Sequence, residues 1–303
     1  MGSGTRIERQ ALLATAFDEG VTHFDVAPLY GLGYAEKELG EFIKRLRDKV
    51  TVTTKFGILP QPLATAATIR MASRLGASRF AARFDAFGHN RRAHRFAPQD
   101  AQASLESSLR RLKSDYIDIL LLHDCGLQDA REDGLVQFLE SSKTAGKIRA
   151  YGVATGIGEV LEIERTLPTL TRIVQIENSL LRQNVQRLQR TGQATLITHR
   201  SLSESYRLVG GWLRANPEQR ARWSVLIGED VGQPQCLSRI MLEYAARANG
   251  KGTILFSTRD HARVRPNIRA LTENSFPESN WPDIESMALR SAPQIELSES
   301  QNA

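Results

Sequence analysis

The sequence predicts an α/β protein built from repeated βα units, and three observations carry that expectation. Short apolar, β-rich runs alternate with segments of helical apolar spacing along the chain. No strong linker interrupts the series. Asp25, Lys55 and His123 stand at or near the C-terminal ends of such runs. Repeated βα units in one chain make a parallel sheet, either a barrel or doubly wound, and in a barrel the C-terminal strand ends converge on one face, where active sites are built.

Taken in order, residues 7–19 (IERQALLATAFDE) have the spacing of a helix, and Gly20 is its stop. THFDV (22–26) is a short strand, 34–47 a helix and VTVTTKFG (50–57) a strand. An arginine-rich insertion covers 59–99. QDAQASLESSLRRL (99–112) is an amphipathic helix and IDILLLHD (117–124) a buried strand. GLVQFLESSKTAG (134–146) is a helix closed by Gly146, and IRAYGVA (148–154) a strand. A helix near 158–166, a strand at 172–179, a helix near 183–190 and a strand at 194–200 follow. Helices fill much of 202–249. TILFST (253–258) is the last strand and 260–271 the last main helix. The tail 291–303 (SAPQIELSESQNA) reads as disordered.

This reading finds seven strands where a (β/α)8 barrel has eight. The chain opens on a helix where the barrel requires a strand, with only Met1–Gly4 before it. If the sheet is a barrel, the fold is a (β/α)8 TIM-type barrel over 1–290, incomplete at the N-terminus. Either the native start lies upstream, the favoured expectation, or strand one is lacking. A missing strand would expose two unpaired edges.

Composition narrows the function classes. A chain of 303 residues with 41% hydrophobic content supports a real core. No apolar run reaches membrane-spanning length, and the N-terminus has no signal-peptide core. Cys125 and Cys236 form no metal or redox motif, so no metal is expected and a reduced, cytoplasmic setting is. The net charge of +6 is localised: 59–99 holds seven arginines (70, 74, 79, 83, 91, 92, 95), no lysine and one acid, Asp85. Without a base-reading motif, this does not point to nucleic acid. The plain reading is a solvated helical insertion. The functional ones are an anion-facing lid, a membrane-surface helix, or a dock for an acidic protein partner.

Asp25 and Tyr30 lie in HFDVAPLYG, Lys55 in VTVTTKFG and His123 in YIDILLLHD. A carboxylate, a phenol, an ammonium and an imidazole on one face make a proton-transfer site. A free phenol is a reluctant donor at neutral pH, and a nearby ammonium favours its ionised form. Lys55 would do this for Tyr30, Asp25 would orient Lys55, and His123 would hydrogen-bond the substrate oxygen. Each residue alone has an ordinary alternative: Asp25 a turn cap before Pro28, Tyr30 loop packing, Lys55 a solvated strand end, His123 a structural histidine.

Together, in this order and with AGKIRAYGVA, these segments resemble the aldo-keto reductases, which pass hydride between a nicotinamide and a carbonyl. The resemblance runs from about Gly20 to about Leu271. It implies the (β/α)8 barrel over the doubly wound sheet, and Tyr30 as proton donor, supported by Asp25, Lys55 and His123. It also implies that Gln175, in VQIENSLL, holds the cofactor amide. LFSTRDHARVRPNIRAL resembles the family's adenosine-phosphate clamp, with Ser257, Thr258, Arg259, Arg263 and Asn267 on its contact positions. Arginine and hydroxyls at a helix start suit a 2′-phosphate, so NADPH is expected over NADH. The substrate expected is a small aldehyde or ketone, anionic if the insertion faces the site.

Three features depart from the family. Ala154-Thr155 replaces the usual Ser-Asn pair, so one amide contact, at Thr155, is lost or changed. His199 stands where an aromatic ring usually stacks on the nicotinamide. The first strand is the third. They motivate the main alternative: a catalytically silent barrel that binds nucleotide as a regulatory subunit.

Overall fold

The computed structural model describes residues 5–58, 95–188 and 194–300, with side chains described to Ala292. Most of the arginine-rich insertion, and the expectations attached to it, lies outside the described residues. Seven strands form one sheet: β1 His23–Asp25, β2 Thr51–Phe56, β3 Ile117–His123, β4 Ile148–Ala154, β5 Ile173–Glu177, β6 Thr195–His199 and β7 Thr253–Ile254. Their order in the sheet is their order in the chain. The pairs β1–β2, β2–β3, β3–β4 and β6–β7 are parallel. A doubly wound sheet reverses its order at a switch point, whereas a (β/α)8 barrel does not. The fold is therefore of the barrel type, with seven strands among the described residues.

The helices are α1 Arg6–Asp18, α2 Tyr34–Ile43, α3 Pro98–Leu112, α4 Leu127–Ala130, α5 Leu135–Thr144, α6 Ile157–Thr166, α7 Asn184–Leu188, α8 Ser203–Ala215, α9 Pro217–Ile227, α10 Pro234–Ala248, α11 Val264–Thr272 and α12 Trp281–Ser300. None among the described residues is long and apolar enough to cross a membrane. The chain divides into two compact units. The first is Met1–Val174 with Arg259–His261, and the second Gln175–Thr258 with Ala262–Ala303.

In the first unit, a capping box starts α1: Thr5 Oγ1 accepts from the Glu8 amide at 3.2 Å, and Glu8 accepts from the Thr5 amide at 2.6 Å. Arg9 grips Glu38 with both arms of its guanidinium, tying α1 to α2. Residues Val52 to Phe56 of β2 are all buried, as a strand covered on both faces requires. On the outer face, the fully buried Glu36 of α2 accepts from Thr54 Oγ1 at 2.7 Å and Arg111 Nε at 2.6 Å, joining α2, β2 and α3. Asp118 of β3 accepts from Arg47 at 2.7 Å, Arg149 at 2.8 Å and the Val52 amide at 2.9 Å. Arg47 also explains why α2 ends at Ile43 instead of running to 47: its side chain turns inward to Ser114, Tyr116 and Asp118.

The second unit packs Trp212, Trp223, Tyr244, Phe276 and Trp281 into one apolar cluster. Each such ring contributes on the order of 2–3 kcal/mol through burial. Glu243, buried among them, accepts from the Ser275 and Phe276 amides and so fixes the turn before α12.

The structure departs from the sequence reading at three further places. The last strand is shorter than TILFST: the ladder stops at Ile254, with one further bond from the Leu255 amide to the Thr198 carbonyl. α4 follows β3 on an Asp129 side chain that caps the Gly126 amide, a local bond without apolar periodicity. The tail read as disordered from 291 continues α12 to Ser300. Trp281, Ile284 and Ala288, at helical spacing and buried, anchor it.

Candidate active site

Asp25, Tyr30, Lys55 and His123 all belong to the first unit. Strand register places them. Asp25 pairs with Thr53, Thr53 with Ile119, and Ile119 with Ala150; two residues further along, Lys55 pairs with Leu121 and Leu121 with Gly152; beyond them His123 pairs with Ala154. Side chains alternate along a strand, so Asp25, Lys55 and His123 leave one common face of the sheet.

Lys55 is the centre of the site. Its side chain is 2% exposed, and Nζ lies 2.6 Å from Asp25 Oδ1 and donates to the Val26 carbonyl at 3.1 Å. The Asp25 side chain is 11% exposed. The same ammonium lies 5.2 Å from the centroid of the Tyr30 ring. Tyr30 meets the His123 ring edge to face, at 6.2 Å and 90°. The structure thus brings together the four residues expected from the sequence.

Backbone geometry presents the phenol. The Tyr30 amide bonds the Ala27 carbonyl at 3.0 Å, and the turn that follows places Leu32 at φ 57 between Gly31 and Gly33. A bulky residue in the left-handed region is strained, and such strain concentrates at functional turns. Tyr30 is left half exposed at 39%. Asp124, directly after His123, also has positive φ, with its amide bonded to the Ala154 carbonyl at 2.7 Å. Cys125 is not a nucleophile here: burial pushes its thiol up to about 12.

Sequence reading missed the support behind Lys55. Gly57 has φ 106 and a carbonyl that accepts from the Arg95 amide at 2.9 Å. The Phe96 ring fills the space where a Cβ on Gly57 would stand, 2.1 Å from Phe96 Cε1, and packs on Phe56. The insertion therefore leaves and rejoins the barrel beside Gly57, two residues past Lys55. Glycine after TKF was the available signal; its partner lies too far along the chain to be read.

The residues expected to hold a cofactor are placed as follows. Thr155 directly follows β4 and donates to the Cys125 carbonyl at 2.9 Å. Gln175 is buried in β5. His199 ends β6, half buried, and its carbonyl accepts from the Asn178 amide at 3.0 Å. Ser257 and Thr258 follow β7, Arg263 sits at the N-cap of α11, and Asn267 is buried within that helix. Arg259 and Arg263 are exposed. Arg259 falls in the first unit with Thr155, and the others in the second.

The profile of the Aldo/keto reductase family matches residues 2–214. The chain is 36% identical over 152 residues to D-threo-aldose 1-dehydrogenase of a Pseudomonas species, a match spanning 50% of this chain and 43% of that relative. It thus spans under half of that relative's length. Among solved structures, a holo-form aldo-keto reductase from Bacillus halodurans superposes with a TM-score of 0.67 at 17% identity, covering 94% of this chain and 88% of that one. An aldo-keto reductase from Klebsiella pneumoniae in complex with NADPH gives 0.63 at 20% identity, covering 94% and 86%. At these identities the structural likeness shows the fold. With the family profile matching over most of its length, the chain belongs to the aldo/keto reductase family.

Proposed function

We propose that residues 1–290 work as one barrel enzyme that reduces an aldehyde or ketone to an alcohol, or runs the reverse, with NADPH as hydride carrier and Tyr30 as proton donor. The observation that carries this reading is the buried ammonium of Lys55, held by Asp25 and set against the Tyr30 ring. A positive charge beside a phenol that is losing its proton stabilises the phenolate left behind. His123, packed on Tyr30, supplies a hydrogen bond to the carbonyl oxygen and orients it. General acid catalysis of this kind contributes roughly 10²–10⁴-fold.

The residues present fit a nicotinamide dinucleotide phosphate. Ser257, Thr258, Arg259, Arg263 and Asn267 supply hydroxyls, guanidinium groups and an amide around the start of a nine-residue helix, a donor set suited to a phosphate. Gln175 would hold the carboxamide, and His199 would face the nicotinamide. When bound, the cofactor supplies the hydride. The substrate is a small carbonyl compound; the aldose dehydrogenase relative favours a polyhydroxylated one. An anionic substrate is supported by the arginines whose segment leaves the barrel beside Lys55.

A fluorescence titration with NADPH and NADH in parallel tests the cofactor, and a carbonyl screen with Tyr30→Phe tests the chemistry. Micromolar NADPH binding, weaker NADH binding and a loss of turnover of about 10²-fold or more in Tyr30→Phe are expected. NADPH binding without any turnover would favour a regulatory barrel. Replacing Arg91, Arg92 and Arg95 by serine should raise KM for an anionic aldehyde more than for a neutral one; equal effects remove the anionic assignment.

A further inference from the structure

His23 stands two residues before Asp25 on β1, so both side chains leave the same face, roughly 7 Å apart along the strand. On β2 the matching positions are Thr51, Thr53 and Lys55; register pairs His23 with Thr51 and Asp25 with Thr53. The imidazole is held at both nitrogens by these threonines. Nδ1 lies 2.8 Å from Thr51 Oγ1, and Nε2 lies 3.2 Å from Thr53 Oγ1. Thr53 is fully buried. A neutral imidazole carries one N–H and one lone pair, so one threonine accepts and the other donates. A titratable ring is thus fixed one strand step behind the buried ion pair.

We propose that His23 is a positioning residue for the Asp25–Lys55 pair: its neutral ring pins β1 to β2 in the register that delivers Asp25 to Lys55, and its protonation in acid weakens that pair. Burial, more than the surrounding charges, favours the neutral ring. Burial pushes His23 below the ordinary histidine value; Asp25 on β1 and Asp118 on β3 pull it up, and Lys55 on β2 pushes it down. Once protonated, both nitrogens donate. The threonine that had been donating must turn its hydroxyl to another acceptor, and the new positive charge competes with Lys55 for Asp25. Both changes act on the carboxylate that aims Lys55 at Tyr30.

The catalytic consequence rests on the reading of Tyr30 and Lys55 above, but the electrostatic coupling does not, and NMR measures it directly. The His23 ring C–H signal is assigned by its loss in His23→Asn and titrated in the full chain. Asp25→Asn should lower the His23 midpoint by about half a pH unit or more, for a unit charge on the order of 7 Å away, and Lys55→Met should raise it by a smaller amount, since Lys55 stands two residues further along β2. Thr53→Val, which keeps both charges, should shift the midpoint by removing one ring bond. Circular dichroism checks that each variant is folded; if either charge variant is not, the other and Thr53→Val decide. A midpoint unmoved in the folded variants overturns the proposal. With a turned-over carbonyl substrate, His23→Asn should extend the plateau of kcat to lower pH, and an acid limb coincident with the parent's overturns the catalytic half. A chain without turnover counts against the proposed function, while the titration still decides the coupling.

Discussion

Replacing Asp25 by asparagine should destabilise the first unit by several kcal/mol even though the side chain keeps its shape. The Lys55 side chain is 2% exposed and has Asp25 Oδ1 at 2.6 Å and the Val26 carbonyl at 3.1 Å. Neutralising the carboxylate leaves an ammonium inside a low-dielectric strand layer with neutral acceptors. Breaking a buried pair by removing one charge costs about 3–5 kcal/mol; asparagine retains one acceptor oxygen, so the lower end, about 3 kcal/mol, is expected. Lys55→Met leaves Asp25, whose side chain is more exposed at 11%, so about 2–3 kcal/mol is expected. The double variant removes both charges and should recover about 2–3 kcal/mol of the summed loss. Urea unfolding followed by far-UV circular dichroism measures all three. With a slope of about 2 kcal/mol per molar, Asp25→Asn alone should lower the midpoint by roughly 1–2 M. Tryptophan fluorescence is the wrong probe, because Trp212, Trp223 and Trp281 all lie in the second unit. Additivity within about 0.5 kcal/mol, or a loss below about 1 kcal/mol for Asp25→Asn, would refute the account of this pair as buried and mutually dependent.

The same physics gives three further expectations. Asp118→Ala strips the acceptor from Arg47, Arg149 and the Val52 amide at once and should destabilise by about 3–5 kcal/mol in urea unfolding; a loss under 1 kcal/mol would mean water replaces it. Gly40→Ala would place a Cβ 2.5 Å from the Arg111 carbonyl oxygen and 2.7 Å from Leu112 backbone atoms, forcing α2 off α3 at about 2–4 kcal/mol. A melting temperature equal to the parent's would show that the two helices part freely. Cys125 should resist iodoacetamide at pH 8 until the chain unfolds, since its thiol is buried and stays protonated to about 12. Its pKa is higher folded than unfolded, so the linked stability is full below about 9 and fades as pH rises from there toward 12. Rapid labelling of the folded chain would contradict this burial.

The sequence by itself determined the alternation of elements, because apolar period and glycine stops are local. β4 falls where IRAYGVA placed it, and seven strands were countable. It also singled out Asp25, Tyr30, Lys55 and His123 as candidates, since HFDVAPLYG, TKFG and IDILLLHD are contiguous segments. Strand order was not legible: periodicity is the same in a barrel and in a doubly wound sheet, and only pairing across the sheet separates them. Nor could the sequence show which atoms face one another. Lys55 reaches Asp25 across thirty residues because β1 and β2 pair in one register, and a shift of one residue would turn Asp25 to the other face of the sheet. That register also sets His23 between Thr51 and Thr53, and long-range packing returns Phe96 to the open face of Gly57. Residue chemistry is written locally along the chain, but the distances that make four side chains one site are set by strand pairing and packing between segments far apart in sequence.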